Sequence, residues 1–108
     1  MWLITAKTVE AFAHAHPAAK QALSDWVAVV KAARWQSPAD LQTCVRGARP
    51  IANKRVIFNI HGNDYRIVCE LQYADATMNG IVRVQFIGTH AEYDKIDATT
   101  VTLRPEQR

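Results

Sequence analysis

Three residues near the C-terminus, and one in the middle of the chain, carry groups suited to proton transfer and anion binding. Histidine titrates near neutral pH, with an unperturbed pKa of about 6.5, so His90 can give or take a proton under physiological conditions. Tyr93 and Asp94 follow at helical spacing, which puts Tyr93 on the same helix face as His90. Asp94 is placed to orient a cation or the histidine. Arg66 supplies a guanidinium fork, whose paired donors match phosphate or carboxylate. Each residue also has a plainer reading. His90 can be a surface or helix-capping histidine, and Tyr93 can pack its helix on a sheet. Arg66 can pair with Glu70 or Asp64, worth under about 1 kcal/mol at a surface.

The charge around Arg66 is uneven. Thirteen Lys and Arg against ten Asp and Glu leave a net charge of +3, which permits a polyanionic partner without demanding one. Between residues 46 and 66, however, Arg46, Arg49, Lys54, Arg55 and Arg66 stand against Asp64 alone. Lys54 and Arg55 open a strand and read either as backbone-binding groups or as a solvated strand end. Asn59 is open to both readings. Asn63 and Gly62 are better explained by a turn, and His61 is a bystander at its edge.

Composition bounds the rest. The 108 residues are 49% hydrophobic and 21% charged, the balance of one folded domain with one core. That excludes an enzyme with a separate cofactor domain. Cys44 and Cys69 form no CxxC pair, and each reads as a small core hydrophobe rather than half of a bridge. No metal-ligand spacing occurs, so neither a metal nor another cofactor is expected. The opening MWLITAK does not read as a signal peptide, and no run approaches the ~18 apolar residues of a membrane span. A cytoplasmic protein is expected.

The elements that must position these groups follow from periodicity. Residues 2–5 read as a strand, and Thr8 as the cap of a first helix that His16-Pro17 breaks. Pro17 opens a second helix to residue 35, with Leu23, Trp26, Val27, Val30 and Ala33 on one face. Ser37-Pro38 starts a short third helical segment reaching Val45, and Gly47 and Pro50 mark a loop. The period then switches from 3.6 to 2. Residues 56–61, 65–73 and 81–88 read as an antiparallel meander. Residues 90–98 suggest a short terminal helix, and 102–108 a frayed tail. The expected class is α+β: N-terminal helices on one sheet face, the other face open, with Arg66 and Asn59 on the open side.

Two blocks carry a family resemblance. Phe58-Asn59-x-x-Gly62-Asn63-x-x-Arg66 and Thr89-His90-x-Glu92-Tyr93-Asp94 together resemble the HigB toxins, of the RelE superfamily of type II toxin–antitoxin systems. The opening Trp2-Leu3-Ile4-Thr5 and Lys54 are also similar, and the likeness in element order spans residues 1–98. The resemblance implies a RelE-like fold. It further implies a metal-independent endoribonuclease that cuts mRNA in the ribosomal A site and is neutralised by a helix-turn-helix antitoxin of the HigA type. It points to His90, Arg66, Tyr93 and Asp94 as catalytic residues; the candidate contacts to RNA or ribosome are Lys54, Arg55, Asn59 and Lys95. The alternative is a non-catalytic module that binds RNA or protein on the open sheet face. Such a module would survive the loss of His90, and a nuclease would not.

Overall fold

The computed structural model describes residues 1–107. In chain order the elements are β1 (Trp2–Ile4), α1 (Ala6–Ala15), α2 (Lys20–Ala32), α3 (Pro38–Cys44), β2 (Arg49–Ile51), β3 (Arg55–Ile60), β4 (Tyr65–Gln72), β5 (Ile81–Thr89) and α4 (His90–Tyr93). The five strands form one sheet in the order β1-β5-β4-β3-β2. β3, β4 and β5 are the antiparallel meander expected from the alternation, and the class is α+β with a RelE-like arrangement.

The sheet is mixed rather than purely antiparallel, because β1 runs parallel to β5. A three-residue strand carries no local mark of its partner's direction, so the chain order of apolar residues did not reveal this. β2 is likewise a correction to the loop expected around Pro50. It pairs with β3 at the sheet's edge, where proline's missing N–H breaks no interior ladder.

Alternation divides the strands into two faces. Val56, Phe58 and Ile60 of β3, with Ile67, Cys69 and Leu71 of β4 and Val82 and Val84 of β5, join the core beneath the helices. From α2, Leu23, Trp26 and Val30 are buried at the helical repeat. Trp26 meets Phe58 edge-on at 5.4 Å between centroids, and Trp35 stacks on the same ring at 6.2 Å. An extra residue in β5 opposite Val68 and Cys69 shifts the register there. This bulge inverts the alternation beyond it: Phe86, expected on the side of Val82 and Val84, opposes Val68 on the second face, and Ile87 opposes Ile67 on the core side.

Several local expectations change. Thr5, in a left-handed conformation with φ 70°, stands before α1, while Thr8 is buried one turn inside it. The Thr8 hydroxyl hydrogen-bonds the Gln107 carbonyl. The segment expected to fray is therefore packed: Leu103 is buried, and Pro105–Gln107 forms a 3₁₀ turn. A 3₁₀ turn at Pro17–Ala19 precedes α2, and the terminal helix is the single turn of α4. Cys69 is buried as expected, and burial pushes its thiol pKa up strongly, but Cys44 is exposed. The second sheet face is also less open than expected. Arg55 donates to the carbonyls of Ala98 (3.1 Å) and Val101 (2.5 Å), and Asn53 to that of Thr99 (2.8 Å), which lays the terminal segment over buried Ile57 and Val68.

Candidate active site

The register sets out the second face row by row. Arg49, Ile57, Val68 and Phe86 stand in one line across β2, β3, β4 and β5. The next line holds Asn59, Arg66 and Gly88. Ile57 and Val68 of the first line are buried, while Arg49 at its end and Asn59 in the second line are exposed and Arg66 is half-buried. Gly88 keeps that line shallow where the helix begins. A Cβ at this position would lie 2.6 Å from Phe86 Cζ and 3.2 Å from Glu92 Cβ.

α4 starts where β5 ends because residues 89–92 form a capping box. The Thr89 hydroxyl accepts from the Glu92 N–H at 3.2 Å, and the Glu92 carboxylate accepts from the Thr89 N–H at 2.8 Å. The His90 N–H then donates to the Asp64 carbonyl at 3.0 Å, tying the helix to the β3–β4 turn. Thr89 and Glu92 are thus accounted for by local structure, while the residues between and after them project from the turn.

His90 Nδ1 lies 3.1 Å from the Asp94 carboxylate, and both side chains are roughly half-exposed. Such a bond fixes the ring's orientation and leaves Nε2 as the free nitrogen. Tyr93, on the same turn, is half-buried and meets Phe86 edge-on at 6.4 Å. The Arg66 guanidinium lies over the Tyr93 ring, with Cζ 4.7 Å from its centroid, a cation–π contact. From below, Asn63 Oδ1 accepts from Arg66 Nη2 at 2.8 Å. The arginine is thereby oriented from two sides.

The structure brings His90, Asp94, Tyr93 and Arg66 together through α4. Asn59 shares Arg66's row, and exposed Lys95 follows directly after Asp94. Lys54 is exposed in the β2–β3 turn, with φ 60°. Arg55 does not join them. It is 6% exposed, and its bonds to Ala98 and Val101 make it an anchor for the terminal segment. The ion pairs that the plainer reading offered Arg66 do not form: Glu70 reaches Arg83 at 4.0 Å, and Asp64 pairs with His61 at 2.9 Å.

Two residues gain a place that sequence reading did not give them. Asn63 is part of the turn, as expected, and it also holds Arg66. Arg49 donates to the Tyr93 hydroxyl at 3.3 Å. Nothing local marked Arg49, since its place depends on the unexpected β2. The Thr-x-x-Glu spacing of residues 89–92 did contain the signal for the capping box. Among the described residues, no three of His, Cys, Asp and Glu group as metal ligands would, and no helix is long and apolar enough to cross a membrane.

Comparison with curated proteins gives no match. The family model HigB_toxin, described as the RelE-like toxic component of a toxin–antitoxin system, matches residues 19–96. That stretch runs from the start of α2 through α4 and contains every residue placed around Tyr93. This chain belongs to the HigB toxin family, the RelE-like toxic components of toxin–antitoxin systems.

Proposed function

We propose that this toxin is a ribosome-dependent endoribonuclease that cuts mRNA in the ribosomal A site, acts without a metal in the cytoplasm, and is silenced by a cognate helix-turn-helix antitoxin of the HigA type. The observation that carries this reading is the contact of Arg66 with Tyr93, on the same helical turn as the His90–Asp94 pair.

RNA cleavage by side chains alone makes three demands. The 2′-hydroxyl loses its proton as its oxygen attacks the adjacent phosphorus. The five-coordinate phosphate needs its charge balanced. The 5′-oxygen takes a proton as its bond to phosphorus breaks, leaving a cyclic phosphate on one fragment and a hydroxyl on the other. His90 moves a proton at one of these oxygens through Nε2, while Asp94 holds Nδ1 and steadies the imidazolium. Arg66 places fixed positive charge against the phosphate, and Tyr93 holds that guanidinium in line. Asn59, Lys54 and Lys95 lie around the open row and contact RNA or ribosome.

The modest net charge fits dependence on the ribosome. Lys and Arg contacts to phosphate supply most sequence-independent affinity, and few are clustered here. The test is induced expression in a bacterial host without the antitoxin gene. Growth should stop through blocked translation, with cuts mapped inside A-site codons, and co-expressed antitoxin should restore growth. Normal growth with abundant folded toxin would refute the reading.

A further inference from the structure

Arg49 and Arg66 stand on the same side of the sheet, on strands that flank β3. Both close on one phenol. Arg49 donates to the Tyr93 hydroxyl, and Arg66 lies over the Tyr93 ring. Guanidinium groups stay charged at any physiological pH, and two on a shared neighbour repel. Among the described residues, no carboxylate forms an ion pair with either. The nearby acids are engaged elsewhere: Asp64 with His61, Asp94 with His90, and Glu92 with the Thr89 N–H. Not every guanidinium donor is paired. Arg66 Nε is shielded from solvent without a hydrogen-bond partner, and Arg49 directs one bond at a neutral hydroxyl. The pair is thus a concentration of positive charge with no anion of its own.

We propose that Arg49 is a second phosphodiester-binding residue, and that Arg49 and Arg66 grip neighbouring phosphates of one RNA strand laid across Tyr93. The identity of the anion rests on the ribonuclease reading above. Arg66 serves the phosphate beside His90 and Asp94, while Arg49, toward the β2 edge, takes a flanking one. An aromatic ring between two cations suits a single-stranded nucleic acid, which offers a base to stack as well as phosphates to bind. An acidic peptide would use the charges and leave the ring idle. Arg49 therefore acts on how tightly and in what register the strand is held, and less on the bond-breaking step.

The experiment uses ribosomes programmed with an mRNA whose A-site codon carries a 2′-O-methyl nucleotide at the cut, so that no hydroxyl can attack. Binding of wild type, Arg49→Ala and Arg49→Lys is measured across a salt series, beside single-turnover cleavage of the unmodified message. Arg49→Ala should weaken binding about tenfold and flatten the slope of log affinity against log salt by about 0.7, the loss of one phosphate contact on a single strand. It should raise the half-saturating toxin concentration for cleavage about tenfold, and the saturating rate should fall less than threefold. Arg49→Lys should keep the slope. Both variants should melt within about 3 °C of wild type. Unchanged slope and half-saturation in Arg49→Ala, with wild type binding and cutting, would remove Arg49 from the RNA and leave the ribonuclease reading standing. A wild-type protein that neither binds programmed ribosomes nor cuts the message would overturn both. Weakened binding to the antitoxin alone would assign the arginines to an acidic partner and refute the proposal.

Discussion

The two faces of the sheet are closed by different means. Under α1 and α2, the inward side chains of β3, β4 and β5 are aliphatic or aromatic, with Cys69 among them, and they are sealed by Leu23, Trp26 and Val30. On the other face the same strands present Arg55, Asn59, Arg66 and Gly88 around buried Ile57 and Val68. The cover there is an irregular segment stitched down by Arg55 and Asn53. The helical face needs only apolar volume, so its residues carry stability. The second face is held by a few directed hydrogen bonds and leaves one polar row open. Stability and function can therefore be separated residue by residue on that side.

The largest expected effect lies on the helical face. Phe58, in contact with both Trp26 and Trp35, should cost about 3–5 kcal/mol when cut to alanine, because the two indoles cannot collapse into the space. Urea unfolding measures it. A loss under about 1 kcal/mol would mean that this face is far looser than its burial indicates.

Across the sheet, the order of effects should invert. His90→Ala and Arg66→Ala should each slow single-turnover cleavage on programmed ribosomes by at least tenfold, and ~100-fold if each supplies a full proton-transfer or charge-balancing contribution. Their melting temperatures should barely move. Wild-type cleavage by His90→Ala would withdraw the proton-transfer role. Tyr93→Phe sharpens the comparison. It keeps the ring under Arg66 and removes the group that Arg49 reaches, so strong loss of rate would show that the hydroxyl itself meets the substrate.

Arg55 and its neighbour Lys54 should part company next. Both read as a basic strand opening in the sequence, yet one is buried and the other exposed. Arg55→Ala leaves the Ala98 and Val101 carbonyls short of a donor and should cost about 1–3 kcal/mol. Lys54→Ala should stay within about 0.5 kcal/mol. Equal costs, read by urea unfolding, would mean that Arg55 does not anchor the terminal segment.

That pair also marks the limit of what the sequence disclosed. Period-2 alternation exposed β3, β4 and β5, because each strand buries one face under the helices and the apolar residues repeat accordingly. It also put Arg66 and Asn59 on the side away from the helices. The motif around His90 and Tyr93 pointed to α4. Arg55 was misplaced because alternation says which face a side chain takes and not what later covers that face. The cover is irregular chain, residues 94–103, which has no periodicity to read. Arg49 stayed hidden because it depends on β2, a strand of three residues containing proline. β1 showed itself as a strand while its parallel pairing with β5, from the far end of the chain, did not.

The smallest effect concerns that irregular cover. Asp97 Oδ1 accepts from the Thr99 hydroxyl at 2.6 Å and from the Thr99 N–H at 2.9 Å. These bonds favour the ionised carboxylate and hold its pKa below the ordinary aspartate value, first through the hydroxyl and then through the N–H, with the charge of Arg55 adding to them. A carboxylate with a depressed native pKa stabilises the fold fully above its unfolded value, near 3.9, and the contribution is lost as pH falls through the lower native value. The turn at residues 97–101 should therefore hold through mild acid and loosen only below the ordinary carboxylate range, while the helical face stays packed. The Thr99 amide resonance, followed by NMR from neutral pH downward, should shift with a midpoint below that of a free aspartate. Asp97→Asn should abolish the shift without unfolding the protein. A midpoint at the ordinary aspartate value would mean that these bonds do not hold the turn in solution. The second face would then owe its cover to the bonds of Arg55 and Asn53 and to the burial of Leu103.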